Sequence, residues 1–233
     1  MKEVGDQSMA KLKRFLKKSP KFYNFLVYVF GVQPMNTTVH QFVRSLPEDA
    51  HILNIGSGTR VLRKGVVNVD IEKFEHVDVV ADATELPFPD ESADAVVIDN
   101  VLEHVRDSEK AVKGMYRVLK KGGRIFVATP FLMVYHSSPY DFRRYTAEGL
   151  RELLRDFEEE ELKIQYGPTA AMMIIFCEWL ALLLSFNIAF LYAAVLFTAT
   201  IITGPLKFLD YLLVHYNRAD NLPNSFYFIG RKK

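Results

Sequence analysis

Short apolar runs that alternate with helical patterns are the feature that most constrains the fold of this chain. Runs suited to buried strands occupy residues 51–55, 65–69, 77–81, 93–98, 124–128 and 162–166. Between the fourth and fifth runs, apolar residues recur at the spacing of one helix face: Ala111, Val112, Met115, Val118 and Leu119. Strands that alternate with helices predict βαβ units and a parallel sheet. Residues 225–231 are typical of one further strand that completes the sheet.

Polar segments predict where several elements end. Residues 120–123, Lys-Lys-Gly-Gly, are expected to close the helix, because lysines suit its last carbonyls and glycine can adopt a positive φ. Thr146 is expected to cap another helix. The acidic run 158–161 is expected to be a solvated turn before the sixth strand.

Length and charge limit the classes of protein that the chain can represent. Its 233 residues suffice for one sizeable α/β domain with an appendage. A net charge of +1 gives no reason to expect a nucleic-acid partner. The single cysteine, Cys177, excludes an internal disulfide and indicates a reducing compartment. The basic N-terminal segment lacks the pattern of a secretory signal.

The first strand runs into a glycine loop, Gly56-Ser57-Gly58, which allows a ligand to approach the backbone at the carboxyl edge of the sheet. A dinucleotide site needs a third glycine and a following helix that faces the pyrophosphate. Here Val61 occupies the third position, and residues 59–64 are too few for a full helix. The pattern therefore disfavours a dinucleotide.

Acidic residues follow the next three strands, at Asp70, Asp82 and Asp99. They suit S-adenosylmethionine, which has no phosphate and carries a ribose diol, an adenine, an ammonium group and a sulfonium. We expect Asp70 to accept hydrogen bonds from the ribose, Asp82 to lie near the adenine, and Asp99 to lie near the methionine end. Each alone is also compatible with a solvated loop aspartate.

These segments resemble the class I S-adenosylmethionine-dependent methyltransferases of the small type-11 kind, over about residues 50–168 and 225–231. The resemblance rests on five segments: Leu-Asn-Ile-Gly-Ser-Gly at 53–58, Asn-Val-Asp at 68–70, Asp-Ala-Thr-Glu-Leu-Pro-Phe at 82–88, Val-Leu-Glu-His-Val at 101–105 and Arg-Val-Leu-Lys-Lys-Gly-Gly at 117–123. It implies a Rossmann-like α/β fold with a seven-stranded sheet whose last strand is antiparallel. It also implies that Gly56, Gly58, Asp70 and Asp82 contact the cofactor. The full set expected to bind S-adenosylmethionine is Asn54, Gly56, Ser57, Gly58, Asp70, Ile71, Asp82, Ala83, Asp99 and Asn100.

The segment 136–146, which follows the fifth strand, supplies candidate catalytic residues. A similar His-x-x-Pro-Tyr-Asp-Phe-x-Arg-Tyr-Thr stretch occurs in type-11 relatives. His136 is the expected general base, with Asp141 orienting it or acting alone. Tyr140 and Arg144 are expected to bind the acceptor, Arg144 through a phosphate or carboxylate. In the competing interpretation, these residues only lock the loop, with Arg144 paired to Asp141.

The remaining histidines show no metal-ligand spacing, so no metal site is predicted. His104, in the Glu-His-Val element, is interpreted as a structural residue at the start of a helix.

An apolar insert, residues 169–220, separates the sixth strand from the last one. Residues 164–206 contain one charged residue, Glu178, which is expected to face headgroups or the acceptor. Runs 170–184 and 188–203 approach the length that spans a bilayer. Both flanking strands belong to one sheet, so a hairpin that spans or dips into the membrane satisfies the connectivity.

The predicted organisation is therefore a basic and aromatic N-terminal helical region at 1–46, a methyltransferase domain at 47–168 plus 221–233, and an apolar helical insert at 169–220. The expected setting is the cytoplasmic face of the cell membrane, with a lipid or lipid-linked acceptor such as an isoprenoid or glycolipid. Two alternatives stay open. One is a soluble small-molecule or sugar methyltransferase whose insert forms a homodimer interface. The other is a non-catalytic, cofactor-binding membrane adaptor.

Overall fold

The structure, a computed structural model, describes residues 33–233. These residues form two compact units. One contains Asn36–Gln165 together with Asn224–Lys233; the other, within the described residues, contains 33–35 and Tyr166–Pro223. Most of the predicted N-terminal region, residues 1–32, lies outside the described residues. The three predicted domain boundaries remain predictions.

A seven-stranded sheet forms the centre of the first unit, in the order β3-β2-β1-β4-β5-β7-β6. Strands β1 to β5 pair in parallel, and β7 is antiparallel to β5. The strands are β1 (Ile52–Ile55), β2 (Val67–Asp70), β3 (Val79–Val80), β4 (Ala93–Asp99), β5 (Leu119–Pro130), β6 (Phe157–Tyr166) and β7 (Ser225–Lys232). This topology confirms the Rossmann-like sheet with an antiparallel last strand.

Helices flank this sheet and cover its central strands. In the first unit they are α1 (Val39–Arg44), α2 (Ser108–Val118) and α3 (Ala147–Leu153), with a 3-10 turn at Leu102–His104. All four residues of β1 are buried, as expected for a parallel strand that is covered on both faces. Thr38 caps α1 in a reciprocal pair with Gln41. On α1, Phe42 packs 5.5 Å from the Phe126 ring, which stacks at 5.7 Å on Tyr227.

Two predicted element ends are wrong, and one is confirmed. Residues 120–123 do not close α2. The helix ends at Val118, and these residues belong to β5, where Lys120 binds Asp94 at 2.7 Å and Gly122 has φ +76°. Thr146 does cap α3, accepting the Gly149 N–H at 3.0 Å.

The acidic run 158–161 is not a turn but the first half of β6. Strand β6 is an edge strand, which tolerates charged side chains. Arg124 and Arg231, from the two preceding strands of the sheet, both donate hydrogen bonds to Glu160. These partners hold an acidic segment in extended conformation.

The second unit consists mainly of two apolar helices, α4 (Pro168–Leu184) and α5 (Ala189–Thr203), which pack against each other. We call them the apolar helix pair. After α5 the chain continues through a 3-10 turn at Gly204–Leu209, α6 (Asp210–Leu213) and a 3-10 turn at Ala219–Asn221. The buried Asp210 carboxylate accepts the main-chain N–H groups of Thr169 and Ala170, at 2.7 and 3.0 Å. It thereby satisfies two of the free donors at the start of α4.

Within the described residues, the helical stretch Ala189–Leu213 is the one helix long and apolar enough to cross a membrane, with a mean hydropathy of 1.8. Pro168–Leu184 is a shorter apolar helix. Many large apolar side chains of this unit are exposed, among them Trp179, Leu182, Phe186 and Phe190.

We expect Phe42→Ala to destabilise the first unit by about 3–5 kcal/mol, because the ring is fully buried and its loss leaves a cavity. The measurement is a urea titration of purified protein followed by far-ultraviolet circular dichroism. His40→Ala, at an exposed position on the same helix, is the matched control and should change little. Equal effects of the two variants would contradict the packing of α1.

Candidate active site

A cavity of about 610 Å³ lies where β1, β2, β3 and β4 end. The loops that follow these strands form its wall, together with the loop that follows β5. Eight residues predicted to bind cofactor or acceptor line it: Gly56, Gly58, Asp70, Ile71, Asp82, Ala83, Asn100 and Tyr140. A second depression, of about 490 Å³, lies along the charged edge strand β6 and contains none of the predicted site residues.

The glycine loop requires both of its glycines for conformational reasons. Gly56 and Gly58 have φ of +68° and +54°, a region that side chains disfavour. A Cβ atom on Gly56 would also lie 2.3 Å from Cγ2 of Val101, whereas a Cβ on Gly58 would meet no atom within 4 Å. Gly56 therefore permits a close contact between two loops, while Gly58 serves the turn alone.

Asp70 organises the same loop. Its Oδ2 accepts the Gly58 N–H at 2.7 Å, and its Oδ1 accepts the Glu72 N–H at 2.9 Å. A carboxylate offers about four acceptor sites, so two stay available for hydroxyl groups in the cavity. Asp70, the last residue of β2, thus supports the glycine loop and still offers acceptor sites to a ligand.

Asp82, Ala83 and Asn100 occupy the rest of this wall. Asp82 accepts hydrogen bonds from the N–H and hydroxyl of Thr84, at 2.7 and 2.8 Å, in a tight local turn. Asn100 follows β4 with φ +57°. Apolar Ile71, 61% exposed, lies beside Asp70 on the cavity wall.

Three residues predicted to bind cofactor do not line the cavity. Asn54 is buried in β1 and donates to Asn68 Oδ1 at 2.9 Å, so its amide serves the sheet. Asp99 forms an ion pair with Arg60 and accepts from Gln165 Nε2 at 3.1 Å, so its carboxylate is already engaged. Ser57 is buried in the loop. The cofactor contacts of Asn54, Ser57 and Asp99 therefore remain predictions that the cavity lining does not support.

The loop after β5 is held by Asp141 rather than by His136. The Asp141 carboxylate receives two hydrogen bonds from Arg144, and it accepts the main-chain N–H of His136 at 2.9 Å. The Arg144 guanidinium holds the pKa of Asp141 at about 2. Arg144 also donates to the main-chain carbonyls of Met133 and Val134. The competing interpretation of a locked loop therefore describes Asp141 and Arg144, and Arg144 is not free for an acceptor.

His136 faces a carboxylate that the sequence analysis missed. Its Nε2 lies 3.5 Å from Oε1 of Glu103, whose side chain is fully buried. This interaction is the main cause that raises the pKa of His136. His104 Nε2 lies 3.8 Å from the same oxygen, and the two imidazole rings meet edge-on at 5.0 Å. We refer to these three residues as the Glu-His-His cluster.

His104 lines the cavity, so the cluster borders the predicted cofactor site. In the sequence, the sign of this cluster was the Glu-His-Val element at 103–105, which the sequence analysis interpreted as structural. The fold brings that element against His136, which lies on a distant part of the chain. Glu178 lies in the second unit, on α4, where it accepts a hydrogen bond from the Tyr192 hydroxyl.

A parallel sheet with a glycine loop and acidic strand ends around one cavity defines a Rossmann-like cofactor-binding domain of the methyltransferase class. Residues 55–127 match the family model described as a methyltransferase domain. The resemblance to S-adenosylmethionine-dependent methyltransferases is confirmed.

Curated relatives match the same part of the chain. The ubiquinone/menaquinone biosynthesis C-methyltransferase UbiE of Vibrio cholerae is 35% identical over 94 residues, 37% of this chain and 34% of that protein. UbiE of Enterobacter sp. is 46% identical over 63 residues, 24% of this chain and 25% of that protein. The chain thus spans about a third or less of the length of these relatives.

Solved structures share the fold. Phosphoethanolamine N-methyltransferase 2 of Haemonchus contortus, in complex with S-adenosyl-L-methionine, is 19% identical with a TM-score of 0.52. The match covers 92% of this chain and 57% of that one. The [4+2]-cyclase SpnF is also 19% identical, with a TM-score of 0.53 over 83% of this chain and 79% of that one. One fold thus includes enzymes named for different reactions, so the reaction is argued from the site.

We expect Gly56→Ala to destabilise the protein more than Gly58→Ala. Both substitutions place a side chain at positive φ, but only the first one meets Val101. Gly58→Ala should lower the melting temperature by about 2–4 °C, and Gly56→Ala by at least about twice that. Differential scanning calorimetry of the two variants measures this. An equal loss in both would contradict the contact between the loops after β1 and β4.

Proposed function

We propose that this chain transfers the methyl group of S-adenosylmethionine to a lipid or lipid-linked acceptor at the cytoplasmic face of a membrane. The observation that carries the proposal is the cavity at the ends of the parallel strands. It combines the glycine loop with the carboxylates of Asp70 and Asp82. Hydroxyl, amino and sulfonium groups of the cofactor suit such a wall, since each is a hydrogen-bond donor or a cation.

The segment after the glycine loop supports this cofactor over a dinucleotide. Residues 57–66 form turns, and no helix begins there. A pyrophosphate group would lack the helix N-terminus that binds it in dinucleotide domains. The reaction itself is a displacement at the sulfonium methyl carbon, for which alignment and exclusion of water supply much of the rate.

An acceptor hydroxyl would also need a group to take its proton. The Glu-His-His cluster is the group of titratable side chains that fits this need, since His104 reaches the cavity wall. We therefore pair His136 with Glu103 in this role, because Asp141 is committed to Arg144. Tyr140, on the cavity wall and 60% exposed, is retained as a proposed acceptor contact.

The second unit supports a lipid-like acceptor. Its exposed side chains include Trp179, Leu182 and Phe190, and burial in a bilayer would remove that apolar area from water. The named pathway of the UbiE relatives, ubiquinone and menaquinone biosynthesis, supports the same class of acceptor. A quinone precursor is therefore among the acceptors to test, beside isoprenoid and glycolipid alcohols.

We expect Asp70→Ala to weaken binding of S-adenosylmethionine by about 10–100-fold, because hydrogen bonds to a charged group contribute about 1.5–3 kcal/mol. Isothermal titration calorimetry of detergent-solubilised protein measures the affinity. Asp82→Asn, which leaves the Asp70 contacts with the glycine loop intact, should weaken binding in the same direction.

The control for both variants is Asp90→Ala, because Asp90 is exposed and pairs with Arg117 away from the cavity. It should bind S-adenosylmethionine like the unaltered protein. Unchanged affinity in Asp70→Ala would place the ribose elsewhere and overturn the proposed site. Binding without methyl transfer to any acceptor fraction would instead favour the cofactor-binding adaptor.

We expect the full chain to float with vesicles of phosphatidylcholine and phosphatidylglycerol, and the double variant Leu182→Glu/Phe190→Glu to lose at least half of that binding. Both side chains are exposed, and a carboxylate on each opposes transfer out of water. Density-gradient flotation measures the bound fraction.

Val80→Glu provides the matched control, since it makes the same kind of change at an exposed position of the first unit. It should float like the unaltered protein. Recovery of the unaltered chain as a detergent-independent dimer that ignores vesicles would support the soluble alternative instead. Light scattering on the same samples reports that state.

A further inference from the structure

The Glu-His-His cluster surrounds a fully buried carboxylate, Glu103, whose nearest titratable neighbours are His136 and His104. The Glu103 side chain is fully buried, and neither carboxylate oxygen has a hydrogen-bond partner among residues 33–233. Arg144 is close enough to interact electrostatically with Glu103, but its hydrogen bonds go to Asp141 and to main-chain carbonyls. A buried carboxylate is strongly unfavourable unless it is paired or coordinates a cation.

Both imidazole rings turn the same nitrogen toward this carboxylate. His104 Nδ1 lies 2.6 Å from the Tyr140 carbonyl oxygen, which can only accept, so Nδ1 carries a hydrogen and, in the neutral ring, Nε2 offers a lone pair. His136 Nδ1 lies 3.3 Å from the Val134 carbonyl oxygen and is held in the same way. A hydrogen bond from the far ring nitrogen to a carbonyl is what orients histidine ligands in metal sites.

Lone pairs of two imidazoles and one carboxylate thus converge on one point. The ligand atoms all lie within 4.8 Å of one another, and Glu103 Oε1 is 3.5 and 3.8 Å from the two Nε2 atoms. Ligands bound about 2.0–2.2 Å from a cation are roughly 3–3.5 Å apart, so small side-chain rotations complete the geometry. Three acceptors this close repel one another unless a cation, or a proton on one of the rings, lies between them.

We propose that Glu103 Oε1, His104 Nε2 and His136 Nε2 bind a divalent first-row transition-metal cation beside the cofactor cavity. Two imidazoles with one carboxylate suit Zn²⁺, Mn²⁺, Fe²⁺ or Co²⁺, whereas Mg²⁺ and Ca²⁺ favour all-oxygen sites. Three protein ligands leave coordination positions open, as in catalytic rather than structural sites. The cation site revises the expectation that no metal is bound.

The use of the cation rests on the proposed methyl transfer. With the cation bound, His136 is a ligand instead of the base, and an acceptor hydroxyl that binds the cation loses its proton to solvent, because the metal stabilises the oxyanion. That oxygen forms a bond to the methyl carbon, and the carbon–sulfur bond of the sulfonium breaks with its electron pair on sulfur. The products are the methylated acceptor, neutral S-adenosylhomocysteine and the released proton. The acceptor class is therefore a lipid-like molecule that carries a hydroxyl group.

The test measures metal binding directly, on the full chain in detergent after treatment with EDTA. Equilibrium dialysis against Zn²⁺, Mn²⁺ or Mg²⁺, followed by elemental mass spectrometry, gives the bound metal per chain. We expect about one Zn²⁺ or Mn²⁺ and no retained Mg²⁺. Loss of one second-shell partner typically costs 10–100-fold in metal affinity, so Glu103→Gln and His136→Ala should cost at least about 100-fold.

His76→Ala is the matched control, because this exposed histidine lies outside the cluster. It should bind metal like the unaltered chain. Equal metal binding in Glu103→Gln and in the unaltered chain would show that the bound metal is adventitious, and it would overturn the proposed site. The absence of any retained Zn²⁺ or Mn²⁺ would overturn it as well, and a loss of activity in His136→Ala would then favour a metal-free base.

A thermal measurement separates ligation from a structural role. Glu103→Gln removes a proposed ligand but keeps the size of the side chain, so the metal-free variant should melt at the same temperature as the unaltered metal-free chain or higher. Metal should raise the melting temperature of the unaltered chain and not that of the variant. A variant that melts lower without metal would indicate a structural Glu103 and contradict the proposal.

Binding of S-adenosylmethionine, titrated separately, distinguishes this inference from the proposed function. Metal retention without cofactor binding would refute the methyltransferase proposal and leave the metal site standing. Cofactor binding without specific metal retention would refute the metal site and leave the methyltransferase proposal standing.

Discussion

The candidate site depends on the close approach of Gly56 to Val101, which brings the loop after β1 against the loop after β4. Because β1 and β4 pair in parallel, with Ile55 opposite Ile98, the loops that follow them leave the sheet side by side. A side chain on Gly56 would force the Val101 loop away. That loop leads directly into the 3-10 turn that carries Glu103 and His104. The glycine therefore serves the Glu-His-His cluster as well as the cofactor wall.

Sequence patterns were sufficient for features that depend on neighbouring residues along the chain. Alternating strands and helices predicted the sheet, and the residues that follow its strands predicted Gly56, Asp70 and Asp82 on one cavity. The expectation that an acidic residue at a strand end lines the cavity did not hold for Asp99, because Arg60, from the segment after the glycine loop, forms an ion pair with it. A local sequence pattern does not predict a partner that comes close only when the loop has folded. For Asp141 the sequence left two interpretations open, and in the structure its carboxylate accepts two parallel hydrogen bonds from Arg144.

Local sequence patterns missed two kinds of feature: the edge strand of the sheet, and a cluster whose residues are distant in the sequence. The acidic segment of β6 has poor strand propensity, yet Arg124 and Arg231 from β5 and β7 neutralise Glu160. Residues 120–123 looked like a helix end, but β5 extends through them. Glu103 was overlooked for a related reason: a glutamate inside an apolar stretch gives no sign of full burial, and His136 approaches it only in the folded protein.

The two units support separate halves of the proposed reaction. The donor depends on the cavity of the first unit, where main-chain N–H groups and carboxylates set the chemistry. The acceptor class depends on the second unit, where apolar side chains of α4 and α5 are exposed although Asp210 already satisfies the start of α4. The main-chain donors at the start of α4 thus have partners, whereas the exposed apolar side chains of α4 and α5 face water. In the proposed setting, a bilayer would remove that surface from water without requiring any change in the first unit. The proposed metal ligands all belong to the first unit, so the proposed cation binding and the proposed membrane binding can be tested separately.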